Sequence, residues 1–186
     1  MKNKRQIINN IIFLVIGAVA FFFTKATIFI SLAILISPIF FLRFIRSQKP
    51  LRGFLIILLT IYTTYLLTQN SFQFKSQGQM VYLTLFSSLY VAVLFSLPYL
   101  LDRLLSHRLK GLYRSLVYPT SAVIIYYLNA RFGLFDGVGH YYAFTVYGNR
   151  TLVQLQLISL FGIWGNIFII SWTASFLNDL WDKKII

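Results

Sequence analysis

The chain has no cysteine and no glutamate, and only four of its 186 residues are acidic. Without cysteine there is no disulfide framework and no thiolate nucleophile. Without glutamate a common acid or base of membrane enzymes is missing. The two histidines, His107 and His140, fall in predicted loops on opposite sides of the apolar segments, and no HExxH motif occurs. The residues themselves therefore predict no catalytic residue, no metal site and no cofactor.

Charge of either sign is scarce, whereas apolar residues are abundant. Only 11% of residues are charged, 58% are hydrophobic, and the mean hydropathy is +0.74. Soluble domains are about half apolar and about a quarter charged, so the composition predicts an integral membrane protein. The net charge of +13 raises the alternative of a nucleic-acid partner. Lys and Arg are enriched in the cytoplasmic loops of membrane proteins, so we predict no nucleic acid.

Six apolar segments predict an all-α, polytopic bundle of about six transmembrane helices in a single domain, residues 1–186. A spanning helix needs about 20 residues, and about 17 are tolerated, so the third and fifth segments are marginal. A signal peptide is the alternative for the first segment, but its apolar run is long and more segments follow. The segments are Ile7–Phe23, Ala26–Leu42, Gly53–Leu67, Val81–Leu101, Ser115–Ala130 and Leu152–Leu177.

The distribution of basic residues predicts the orientation. With the N-terminus in the cytoplasm and six spans, 13 of the 17 Lys and Arg residues lie inside. The remaining four, Lys25, Lys75, Arg131 and Arg150, lie outside. Because cytoplasmic loops carry the excess of Lys and Arg, both termini are predicted to be cytoplasmic.

The longest outer loop, residues 131–150, is rich in glycine and aromatic residues and is predicted either to lie against the outer membrane interface or to pack back onto the helices. Arg131 and Arg150 at its two ends either clamp a lipid phosphate or mark two helix ends. His140 is either a phosphate or acid–base group or a polar residue of a wet interface. The glutamines that follow either bind a head group or join helices. The predicted lipid-binding residues are Arg131, His140, Tyr147, Arg150, Gln154 and Gln156.

The sixth segment carries small and polar residues at helical spacing, which favours close helix packing over lipid contact. The predicted packing residues are Ser159, Gly162, Gly165 and Asn166. The inner loop Asp102–Arg114 mixes leucines with cations. It is either a short amphipathic segment on anionic lipid or a basic loop with no specific lipid.

The run from Pro119 to Asp182 resembles the membrane domain of bacterial apolipoprotein N-acyltransferase and its nitrilase-linked membrane relatives. The likeness consists of a proline near the start of the fifth helix, a Gly-Tyr-Ser/Thr-Gln-like turn, a Leu-Gln entry and a Ser-x-x-Gly-x-x-Gly-x-x-Phe helix. It ends in a Trp-x-Ala-Ser-x-x-Asn motif. The turn is matched imperfectly by residues 146–149. The other matching residues are Pro119, Leu155, Gln156, Ser159, Gly162, Gly165, Phe168, Trp172, Ala174, Ser175 and Asn178.

In that family the membrane helices lead to a large extracytoplasmic domain with a Glu-Lys-Cys triad. The cysteine takes an acyl chain from a phospholipid and passes it to a lipoprotein. This chain has neither the cysteine nor the glutamate. The resemblance therefore implies a phospholipid-binding scaffold in the bacterial cytoplasmic membrane, catalytically incomplete by itself. It would be a fragment, or half of a split acyltransferase for lipoprotein modification, partnered by a separate nitrilase-like subunit.

Two other functions remain open. A non-enzymatic membrane protein, such as a lipid-binding or assembly subunit, needs no catalytic partner. A small transporter is disfavoured, because the sequence shows neither the inverted repeats nor the broken midplane helices that such proteins use.

Overall fold

The computed structural model describes residues 4–25, 32–73, 79–132 and 152–184. These residues form six α-helices and a short 3-10 turn at Ser106–Arg108, with no strand in the described ranges, and confirm the predicted all-α class. The helices are α1 (Lys4–Lys25), α2 (Ala33–Arg46), α3 (Pro50–Gln73), α4 (Gln79–Leu105), α5 (Leu112–Phe132) and α6 (Leu152–Lys184).

Most helices extend beyond the apolar segments that predict them. Helix α6 continues from the predicted end at Leu177 to Lys184, and α4 continues from Leu101 to Leu105. Hydropathy marks only the apolar part of a helix, whereas charged residues also support helical backbone. Helix α5 begins at Leu112, so Pro119 lies two turns inside the helix rather than near its start.

Within the part of the chain that the structure describes, four helices are long and apolar enough to cross a membrane: Lys4–Thr24, Pro50–Thr68, Thr84–Arg108 and Ile158–Asp182. The described part of α2 has 14 residues, about 21 Å at 1.5 Å per residue, against a hydrocarbon core of about 30 Å. Four candidate spans indicate a membrane protein. Six spans and cytoplasmic termini stay predictions.

The helices pack in sequential pairs: α1 on α2, α3 on α4, and α5 on α6. A first apolar cluster contains side chains from each of the helices α1, α2, α3, α4 and α5, with Phe41, Ile45 and Tyr99 among them. A second contains side chains from α3, α4, α5 and α6, with Tyr65, Tyr126 and Ile167 among them. Helix α2 also packs against α6, which closes the bundle.

The outer surface of the bundle is also apolar. Helix α1 exposes Ile8, Ile11 and Val15, and α3 exposes Leu55 and Leu59, each by half or more of its accessible area. Large contiguous apolar faces are rare on soluble monomers, and here they follow whole helices. Such an exterior suits hydrocarbon rather than water as the surrounding medium.

A glycine brings α1 and α2 close together. Ser37 Oγ donates a hydrogen bond to the Gly17 carbonyl at 3.1 Å. A Cβ on Gly17 would lie 2.8 Å from ring atoms of Phe41, a fully buried side chain. The small residue thus permits the approach that the hydrogen bond and the ring contact require.

Helix α6 is interrupted at Gly162, where φ is 66° and ψ is −178°. This backbone conformation is essentially restricted to glycine. A Cβ at Gly162 would have no heavy atom within 4 Å, so the position needs the freedom of glycine and not its small size. The break separates residues 152–161 from a longer stretch, 163–184.

We expect Gly17→Ala to lower the free energy of unfolding by about 1–3 kcal/mol, because the added methyl must displace the Phe41 ring. Unfolding of the purified protein in mixed micelles, followed by circular dichroism, measures this change. Val19→Ala is the control, since Val19 is 51% exposed on the same helix. Equal stability of Gly17→Ala and the wild type would contradict the close packing of α1 and α2.

Candidate functional site: a buried arginine–aspartate cluster

Six charged side chains meet where four helices end at the same side of the bundle. We call them the charge cluster and that side the basic end. The arginines come from α2 and α5, and the aspartates from α4 and α6. The cluster consists of Arg43, Arg46, Arg114, Asp102, Asp179 and Asp182. Three positive charges are balanced by three negative ones.

Arg46 is the centre of the cluster. Its Nε and Nη2 donate to the two carboxylate oxygens of Asp102 at 2.8 and 2.9 Å, a bidentate pair. Its Nη1 donates to Asp179 Oδ1 at 2.6 Å. One guanidinium therefore joins the C-terminal ends of α2, α4 and α6.

Asp182 joins two further arginines. Arg114 Nη2 donates to Asp182 Oδ2 at 2.7 Å, and Arg43 Nη1 donates to Asp182 Oδ1. The Arg43 guanidinium also lies 5.2 Å from the ring centroid of Trp181, within cation–π range. These contacts attach the first turn of α5 to the ends of α2 and α6.

Helical spacing explains why these side chains converge. Arg43 and Arg46 are three residues apart in the last turn of α2, and Asp179 and Asp182 have the same spacing near the end of α6. Residues at i and i+3 share a helix face, so each helix presents two like charges to the other. A carboxylate in the last turn of a helix is disfavoured by the helix dipole, and Arg46 offsets this effect for Asp102.

The centre of the cluster is withdrawn from water. The side chain of Asp102 is fully buried and that of Arg46 is 8% exposed, whereas Asp182 and Arg114 are 29% and 34% exposed. Burial works to lower the pKa of Arg46, but its hydrogen bond with Asp102 and the charges of Asp102 and Asp179 outweigh this effect and raise the pKa. Arg46 therefore stays charged at any physiological pH.

Polar contacts around the cluster involve the remaining helices. Asn178 Nδ2 donates to the Ile39 carbonyl at 2.8 Å. Ser47 Oγ donates to Asn10 Oδ1 of α1 at 2.9 Å, and Arg103 Nε donates to the Gln48 carbonyl, next to the start of α3, at 2.9 Å. The basic end thus gathers one end of all six helices, including the N-terminal half of α1.

The contacts of the cluster join helix ends to one another. Each of its three aspartates is paired with at least one arginine. Asp179 Oδ2 has no hydrogen-bond partner among the described residues, but Oδ1 of the same carboxylate accepts from Arg46. The described residues include no group of three or more side chains suited to a metal ion. What the geometry provides is electrostatic cross-linking of helix ends.

A separate cavity of about 100 Å³ lies among α1, α2, α4, α5 and α6. Apolar and aromatic side chains dominate its walls, among them Phe21, Phe95 and Ile170. Residues with hydroxyl groups also line the cavity: Ser37, Ser171, one threonine and three tyrosines. Its remaining lining residues are Thr24, Ile34, Pro38, Tyr99, Tyr118, Tyr126 and Ile167.

The predicted lipid-binding residues are placed only in part. Arg131 is exposed in the last turn of α5, and Gln156 is exposed in α6. Gln154 lies in the first turn of α6. The other three, His140, Tyr147 and Arg150, lie outside the described residues. Lipid binding at this loop stays a prediction.

The predicted packing residues of α6 have different surroundings. Ser159 and Gly162 are exposed, and Gly165 is half-buried. Asn166 is fully buried, yet neither its Nδ2 nor its Oδ1 has a hydrogen-bond partner among the described residues. The interhelical hydrogen bonds found for α6 lie further along the helix, at Trp172, Ser175 and Asn178 and at the two aspartates of the charge cluster.

The charge cluster is the feature that sequence reasoning missed. Arg43, Arg46 and Arg114 fall outside the predicted apolar segments Ala26–Leu42 and Ser115–Ala130, yet all three lie in helices and are paired. A usable signal was present: three of only four acids in the chain fall near predicted helix ends on the side of most arginines. The motif that ends in Ser175 and Asn178 also adjoins the cluster, because Arg46 Nη2 donates to Ser175 Oγ at 3.3 Å.

Comparison with known proteins identifies no relative. No protein-family model matches the chain, and no curated protein or solved structure shows significant similarity to it. Membership of the acyltransferase family therefore stays a prediction from the motif.

We expect Asp102→Asn to lower the free energy of unfolding by about 3–5 kcal/mol, because removing one partner of a buried ion pair leaves Arg46 undercompensated. Asp182→Asn removes two partly exposed pairs, with Arg43 and Arg114, and should cost about 1 kcal/mol. Titration with denaturing detergent in mixed micelles measures both values. Lys49→Gln, at an exposed lysine of the same end, is the control. Equal effects of the two aspartate substitutions would contradict the central place of Arg46.

Proposed function

We propose that the chain is a six-span protein of the bacterial cytoplasmic membrane that binds phospholipid and acts as the non-catalytic scaffold of a split acyltransferase. A separate nitrilase-like subunit would supply the chemistry. The proposal combines the apolar exterior and four candidate spans with the motif of residues 119–182.

The observation that carries the lipid-binding part is the cavity among five helices. Its walls are mainly apolar, with hydroxyls from Ser37 and Ser171 among them. A volume of about 100 Å³ is of the order of apolar cavities that accept a small hydrocarbon. It would hold the end of one alkyl chain, while the rest of the lipid stays in the bilayer.

The charge cluster supports the scaffold part of the proposal. It fixes one end of the bundle through ion pairs whose centre is shielded from water. The candidate lipid residues Arg131 and Gln156 lie near the ends of α5 and α6 that are remote from the charge cluster. A scaffold that positions a lipid requires the helices of the lipid-binding region to be held together firmly, and the charge cluster would do so at their other ends.

The lack of cysteine and glutamate supports the need for a catalytic partner. In the resembled family, the acyl chain is carried by a cysteine that a glutamate and a lysine assist. Addition of a nitrilase-like acyltransferase domain should then allow transfer of a labelled acyl chain from phospholipid to an N-terminal-cysteine peptide. Lipid binding without any such transfer would instead favour the alternative, a non-enzymatic lipid-binding subunit.

The lipid-binding proposal is tested with a phospholipid that carries a photoreactive group near the end of one acyl chain. After reconstitution and irradiation, mass spectrometry should find adducts on cavity residues such as Phe95, Ile167 and Ile170. Ser171→Leu fills part of the cavity and should reduce these adducts severalfold.

Thr173→Leu is the matched control, because Thr173 lies two residues further along α6 and does not line the cavity. It should leave the adducts on Ile167 and Ile170 unchanged. Adducts confined to outward-facing residues such as Leu55 and Leu59, with no response to Ser171→Leu, would contradict lipid binding in the cavity.

A further inference from the structure

Residues 103–115 comprise the last residues of α4, the 3-10 turn and the first turn of α5. This segment, here called the connection, exposes apolar side chains at the basic end. Leu105 and Leu109 are 45% and 41% exposed, and Leu112 and Tyr113 are 63% and 72% exposed. Polypeptide at a helix connection is expected to present polar groups to water. This connection instead exposes these three leucines and the tyrosine.

The same connection carries positive charge that the charge cluster leaves uncompensated. Arg108 and Lys110 are exposed, and neither has an ion-pair partner among the described residues. The three aspartates of the basic end are engaged with Arg43, Arg46 and Arg114. The connection therefore offers free cations beside exposed leucines.

A cleft of about 380 Å³ lies between this connection and the end of α6. Leu109, Lys110 and Leu112 line one side, and Phe176 and Leu180 line the other. The cleft is also lined by Asp179, Asp182 and Arg114. The Nε atom of Arg114 lies 3.4 Å from Asp179 Oδ1, and this Nε has no hydrogen-bond partner among the described residues. Gly111 and Ser115 complete the lining.

We propose that this cleft binds an anionic phospholipid, with the phosphate near Lys110 and the acyl chain against Leu112, Phe176 and Leu180. Arg108 lies outside the cleft lining, two residues before Lys110, and adds positive charge to the same segment. Cations interleaved with leucines are typical of polypeptide that lies on an anionic membrane surface. A zwitterionic lipid gains less from two uncompensated cations, and a free phosphate gains nothing from the leucines.

This inference rests on the proposed membrane embedding but not on the acyl-chain cavity, which lies elsewhere in the bundle. The two sites share no lining residue. Ser171→Leu, which alters the cavity, should therefore leave the cleft's lipid preference unchanged. Failure of one proposal is thus distinguishable from failure of the other.

The test compares phosphatidylglycerol with phosphatidylcholine of the same acyl chains, titrated onto the full chain in detergent micelles and followed by native mass spectrometry. The wild type should bind phosphatidylglycerol more tightly. Lys110→Gln should reduce that preference about fivefold, and Arg108→Gln combined with Lys110→Gln should reduce it further, because each cation near an anionic surface contributes a factor of that order.

Lys49→Gln is the matched control, since it removes an exposed lysine of the same end but not of the cleft. It should keep the wild-type preference. Equal loss in Lys49→Gln and Lys110→Gln, or no preference in the wild type, would overturn the proposal. Displacement of phosphatidylglycerol by inorganic phosphate at equal concentration would also overturn it, because the site would then recognise phosphate alone.

Discussion

The ion pairs of Arg46 are the constraint on which the architecture depends. This residue reaches Asp102 of α4 and Asp179 of α6 from the end of α2, so three helix ends must meet at one point. A fully buried carboxylate is tolerated only when it is paired and hydrogen-bonded. Any rearrangement that separates these helices at the basic end would leave Asp102 or Arg46 unpaired away from water. The cluster therefore favours one register of the bundle over sliding alternatives.

The two proposed lipid sites are both related to the charge cluster that fixes the basic end of the bundle. The cavity that we propose for an acyl chain is lined by five helices that the cluster and its neighbouring contacts hold together at the basic end. The cleft that we propose for an anionic lipid borders the cluster directly through Arg114 and Asp179. On this account the charges that balance one another provide cohesion. Among the cations without an ion pair in the described residues, Lys110 lines the cleft and Arg108 lies two residues before it, so both are available for lipid.

Apolar runs were enough to predict the six helices of the described ranges, because burial in hydrocarbon or in a bundle core selects long apolar stretches. They could not predict that α6 breaks at Gly162, since a lone glycine within an apolar run has no distinctive pattern. Nor could they predict the charge cluster, because pairing between Arg46 and Asp102 depends on which helices are neighbours. The outer-loop residues His140 and Arg150 stay predictions of the sequence alone.

The most direct test of the account is the side of the membrane on which the basic end lies. The natural chain has no cysteine, so a single introduced cysteine reports one position without background. In intact bacterial cells, a membrane-impermeant maleimide should label Arg131→Cys at the far end of α5. Lys49→Cys and Lys110→Cys at the basic end should react only after permeabilisation. Labelling of Lys49→Cys or Lys110→Cys in intact cells, or labelling of all three alike, would contradict a membrane-spanning bundle with a cytoplasmic basic end.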